Sequence, residues 1–161
     1  MFEVGDKILY PMHGAGIINE IEEKVVLGEK HCYYIMRIPP SDIKIMIPTD
    51  TADEIGVRGI ITKDEGRSVL EHFRTEPIES DDNWNKRHRD NMERIKSGDI
   101  YKVLTVVKTL MHREKVKGLS TSERKMLSVA RQIFMSELVL CEIAGMDDLE
   151  SIMEDTIEEM L

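Results

Sequence analysis

Trp84 is the only tryptophan in this 161-residue chain, and its neighbours suggest what it is for. Asp81 and Asp82 precede it, and Lys86, Arg87 and Arg89 follow it. A tryptophan is ordinarily core, yet these flanks are those of a solvated helix start. An exposed indole beside cations has a physical use. The ring can stack on a base or wedge at a base step while the cations hold phosphates. The free amides of a helix N-terminus favour phosphate as well. That chemistry is recognition rather than turnover, and no competing catalytic pattern accompanies it. Gly14-Ala15-Gly16 lacks the spacing of a dinucleotide fingerprint, and there is no Walker sequence. His88-Arg89-Asp90 spells the kinase triplet, but the position five residues after Asp90 is Ile95, not Asn. His13, His31 and Cys32 have no metal-ligand spacing. No enzyme activity, cofactor, metal or small-molecule substrate is expected.

The net charge of −9 argues against a nucleic-acid partner only as an average. Residues 1–83 carry a net −8, residues 84–136 a net +8, and residues 137–161 a net −9 with no Lys or Arg. The positive block begins at Trp84. Salt screens charges beyond about 8–10 Å, so a local basic field can act on an acidic protein. Cys32 and Cys141 are far apart and form no C-x-x-C pair, which excludes a disulfide framework and fits a reducing cytoplasm. The opening MFEVGDKILYPMHG has no basic region followed by a long apolar run, so no secretory signal is expected. No apolar stretch approaches the ~18 residues that span a bilayer.

Two kinds of element must position these residues. The first fifty residues contain VGDKILYP, GIINEIEEKVV, KHCYYIMRIP and DIKIMIP, short Ile/Val/Tyr-rich runs broken by PMHGAG, LGEK and PPSD. These are strands and turns, and they suggest a small closed barrel. The period changes at Thr62, where TKDE reads as a capping box for a helix reaching about Arg74. TEPIESDDN follows as a polar linker. Four helices complete the chain. The first spans about 84–97, with Asn83 or Asp82 as its cap. The second runs from Asp99 to before Gly118, with Val103, Val106, Val107, Leu110 and Met111 on one stripe. The third opens on a capping box of Ser120 and Glu123 and stops near Gly145. The fourth starts at about Asp147. The fold class is α+β: a barrel over 1–60, a short helix and linker over 61–82, and a helical domain over 83–161.

Three stretches carry a family resemblance in register. YPMHGAG (Tyr10–Gly16), NWNKRHRDNMERIKSGD (Asn83–Asp99) and GLSTSERKMLSVARQI (Gly118–Ile133) resemble the CarD/CdnL family of bacterial transcription regulators. The resemblance implies a Tudor-like barrel, similar to the polymerase-interacting domain of transcription-repair coupling factors, that binds the RNA polymerase β subunit. It implies a helical domain that contacts promoter DNA at the upstream edge of the −10 element. Trp84 would enter the minor groove there and stabilise the open complex. Lys86, Arg87 and Arg89 would be phosphate contacts, and Arg124 and Lys125 lie in the other matching basic motif. Met36, Met46 and Pro48 occupy the strands that face polymerase in similar proteins. A monomer in the cytoplasm, at the nucleoid through polymerase, is implied. The alternative from the residues alone is a protein-interaction module with the same barrel and no DNA role, in which Trp84 packs and the basic block is a solvated face.

Overall fold

The computed structural model describes residues 1–39, 42–79 and 81–161. Pro40 and Ser41 of the predicted PPSD turn and Ser80 of the predicted linker lie outside these.

All four predicted strands form: β1 (Lys7–Tyr10), β2 (Gly14–Val26), β3 (Glu29–Ile38) and β4 (Ile43–Pro48). A short α1 (Ala52–Ile55) and a two-residue β5 (Arg58–Gly59) follow. The strands pair antiparallel in the order β4-β3-β2-β1-β5. Among the described residues no ladder joins β4 to β5, and the five antiparallel strands form the small N-terminal β-domain that the sequence predicts. One face buries Ile8, Ile18, Tyr34, Met36, Ile38 and Ile47 beneath Ala52 and Val57. The other presents Leu9 and Ala15 to the helices. Successive β1 residues point to opposite faces, so Ile8 serves the strand core and Leu9 the helical one.

The helices are α2 (Lys63–Thr75), α3 (Trp84–Lys96), α4 (Ile100–Val116), α5 (Thr121–Leu140) and α6 (Met146–Glu159). The predicted capping box is present on α2: Thr62 accepts from the Glu65 amide and Glu65 reaches back. The sequence groups this helix with the linker, but its Val69, Leu70 and Phe73 belong to the helical core. Phe73 meets Phe134 of α5 with ring centroids 5.7 Å apart. The α4 stripe Val103, Val106, Val107, Leu110 and Met111 is wholly buried. So are Met126, Leu127, Ala130, Ile133, Phe134 and Leu138 of α5. α5 ends at Leu140, earlier than expected, because Glu142 turns left-handed at φ 66. No helix among the described residues is long and apolar enough to cross a membrane.

Sheet and helices are keyed together by the turn that carries YPMHGAG. The Ala15 amide donates to Ser136 Oγ at 2.9 Å, and Gln132 Nε2 donates to the His13 carbonyl at 2.8 Å. Gly14, at φ 125, passes so close that a Cβ there would stand 2.9 Å from Ser136 Oγ. Beside it, Arg58 binds Glu137 through both carboxylate oxygens at 2.6 and 2.9 Å and also donates to the Gly98 carbonyl. Glu137 is 1% exposed and takes the Ile61 amide as a third partner.

Candidate nucleic-acid interface

The start of α3 is built by a chain of local bonds. Asn83 is its cap, its side-chain oxygen accepting from the Lys86 amide at 3.0 Å. The Asn83 amide in turn donates to Asp81 Oδ1 at 2.8 Å, and Lys86 pairs with the same side chain at 3.2 Å. These two hydrogen bonds, the amide first and Lys86 next, hold the Asp81 carboxyl below its ordinary pKa. The preceding strand of chain is tacked to the helices by cations. Lys108, its ammonium pKa lowered by burial, donates to the Glu76 carbonyl. Arg87 donates to the Asp81 carbonyl at 2.9 Å, and Lys117 to Asp82 at 3.3 Å. The predicted linker is therefore a strap laid on the helical domain at its described residues.

Trp84 is the first residue of this helix and is 42% exposed. One face of its indole is covered: the His88 ring stacks on it at 4.8 Å with 17° between planes. At about 100° per residue, Trp84, His88, Asn91 and Ile95 share one side of α3. Asn91 and Ile95 are buried. The indole is thus the outermost member of the buried stripe, extending past the edge of the core rather than standing on the opposite face.

The cations around it divide into two kinds. Lys86, Arg89, Arg124 and Lys125 are exposed. Arg87 is not, and its expected role as a phosphate contact is corrected. It is 5% exposed, and its guanidinium donates to Glu123 at 2.9 and 3.3 Å. With the Asp81 carbonyl as its third acceptor, it has no open donor face for DNA. Its work is positional. Ser120 caps α5 by accepting from the Glu123 amide, half of the predicted capping box, and the Glu123 carboxylate turns to Arg87. This pair ties the N-terminal turn of α3, with Trp84, to that of α5, with Arg124 and Lys125. Burial pushes the Glu123 carboxyl up, but the Arg87 hydrogen bond and charge, the Arg113 charge and the Ser120 backbone together bring it below its ordinary value.

On the sheet, Met36 is also corrected. It is 0% exposed and faces the strand core, opposite Ile45 in the β3–β4 register. Met46 and Pro48 are half-buried on β4, the strand at one end of the sheet order. Sequence reading missed Arg58 and Glu137, which lock the two halves together. It also missed His88. The one signal for His88 was its i+4 spacing from Trp84, the spacing at which helical side chains meet.

Comparison with known proteins adds the following. Residues 68–154 match the CarD C-terminal domain, and residues 2–61 match the CarD-like/TRCF RID domain. YdeB of Bacillus subtilis (strain 168), named as a proposed transcription factor, is 39% identical over 138 residues, covering 86% of this chain and 90% of that protein. The solution NMR structure of the 72-residue N-terminal domain of Myxococcus xanthus CarD aligns at 32% identity over 37% of this chain and 79% of that one, with a TM-score of 0.33.

Proposed function

This chain belongs to the CarD family and is a transcription-associated regulator, and we propose that it binds the RNA polymerase β subunit through its sheet and steadies the promoter open complex with Trp84. The reading rests on one observation: the only indole of the chain stands 42% exposed on the first turn of a helix, beside solvent-exposed cations. On this reading the ring enters the minor groove at the upstream edge of the −10 element. Lys86, Arg89, Arg124 and Lys125 hold the flanking phosphates, and Arg87 holds the helices that present them. Unstacking a base step costs a few kcal/mol, and a stacked aromatic returns ~1–3 kcal/mol. The edge of a melted region is already partly unstacked, so the ring gains most in the open state. About 1.4 kcal/mol of such preference shifts the open–closed equilibrium tenfold. β4, with Met46 and Pro48, ends the strand order among the described residues, the place at which a strand of polymerase would add to the sheet. Tethering there raises the local concentration of Trp84 at the promoter. The protein acts as a monomer in the cytoplasm, by binding rather than catalysis.

Trp84→Ala is the test. Because the indole is only partly buried, the change is expected to lower the Tm by no more than a few degrees, whereas losing a fully buried tryptophan costs about 3–5 kcal/mol. Pull-down of polymerase is expected to be unchanged. The lifetime of the polymerase–promoter open complex is expected to fall severalfold, as loss of ~1–3 kcal/mol of stacking requires. A variant that unfolds, or one that keeps the wild-type lifetime, overturns the DNA reading and leaves a protein-interaction module.

A companion measurement concerns the cations. Arg89→Ala is expected to weaken engagement equally across promoter sequences and to lower the salt slope of complex lifetime by about one unit. Identical slopes for variant and wild type would make Arg89 part of a solvated face.

A further inference from the structure

We infer that His88 is a positioning residue for Trp84, holding the indole in the orientation in which it is used; this rests on the DNA reading above. The geometry is specific. The two rings lie 4.8 Å apart and within 17° of parallel, one helical turn apart on α3. Their exposures differ: Trp84 is 42% exposed, whereas His88 is half-buried, and the buried Asn91 and Ile95 continue the same side of the helix. The imidazole is therefore a platform, covering one face of the indole.

The histidine has no evident hydrogen-bonding duty at its inner nitrogen. His88 Nδ1 is buried and has no partner among the described residues. What the ring does make is the stack.

The physical gain is preorganisation. Trp84 is the first residue of α3, with only the polar cap before it. Without a platform, an indole there samples several side-chain rotamers, and fixing one on DNA costs binding free energy. Ordering one such side chain beforehand is worth roughly two- to tenfold in the stability of the complex. The platform must be flat, because a flat ring can cover the indole without filling the space the base step needs. Phenylalanine would serve, and leucine, of similar bulk, would fill the site without stacking.

The test uses the full chain, because Trp84 is its only tryptophan and its fluorescence reports on that ring alone. In free protein, His88→Ala is expected to raise the acrylamide quenching constant of Trp84 about twofold and to lower its fluorescence anisotropy. On RNA polymerase and a promoter fragment, the same variant is expected to shorten open-complex lifetime roughly two- to tenfold. His88→Phe is expected to restore both readings; His88→Leu is expected to restore thermal stability but neither reading. A role in stability alone would make Leu and Phe equivalent. Unchanged quenching in His88→Ala, or full recovery by Leu, overturns the inference. So does a wild-type lifetime for His88→Ala beside a shortened one for Trp84→Ala, and that pattern leaves the DNA reading standing. A wild-type lifetime for Trp84→Ala overturns the DNA reading and this role with it.

Discussion

Arg87→Ala is expected to cost about 3–5 kcal/mol of folding free energy, because it strands a buried carboxylate. Glu123 is 3% exposed, and Arg87 supplies two hydrogen bonds to it at 2.9 and 3.3 Å. In a chain of this size that loss lowers the Tm by roughly 6–20 °C. An exposed phosphate contact would give almost no change, so thermal unfolding alone separates the two roles. The double variant Arg87→Met, Glu123→Leu is expected to recover much of the loss, since removing both charges leaves nothing uncompensated. Acid provides an independent check. The folded Glu123 carboxyl lies below its ordinary value, so the pair contributes its full stability above the unfolded carboxylate pKa of about 4.3 and loses it as pH falls through the folded value. Wild type is expected to be destabilised across that acidic window more steeply than Glu123→Gln. A flat wild-type profile there would show that the pair contributes little.

Arg58→Ala is the second large effect, and it acts on the union of sheet and helices. Glu137 is 1% exposed, and it would keep only the Ile61 amide, at 3.0 Å. The Gly98 carbonyl would also lose the two Arg58 bonds at 3.1 and 2.8 Å. About 3 kcal/mol is expected, the low end for a broken buried pair, because the Arg58 side chain is 33% exposed and water can enter. The loss is expected to be local first. Hydrogen exchange of the Ala15 amide, which reports its bond to Ser136 Oγ, is expected to quicken before that of α4 core amides. Equal acceleration at both places would mean that the clasp stabilises the whole fold instead of the junction. On the proposed function, an uncoupled sheet would keep its polymerase contact but no longer aim Trp84, so open-complex lifetime is expected to fall with polymerase pull-down intact.

The types and order of the elements were legible because they depend on near neighbours in the chain. Ile/Val/Tyr-rich runs broken by Gly, Pro and Asp marked β1 to β4, and the stripes of α4 and α5 marked the helical core. Thr62 with Glu65 announced α2 because a cap and its helix are three residues apart. Trp84 stood out for the same reason: a lone aromatic at a helix start, between a polar cap and a basic run, is a local oddity.

The tertiary structure decided which of these residues face water. Arg87 and Arg89 look alike in sequence, but Glu123, 36 residues away from Arg87, claims that guanidinium and leaves Arg89 exposed. The fate of a charge depends on what lies opposite it in space, and chain spacing does not record that. Met36 presents the same problem in a strand. Ile35 and Met36 are both buried, so alternation on β3 could not choose an outward face. YPMHGAG was recognisable as a motif, but its purpose was not. Gly14 and Ala15 need closeness to Ser136, 121 residues beyond Ala15, and only the docking of the sheet against α5 brings that hydroxyl to them.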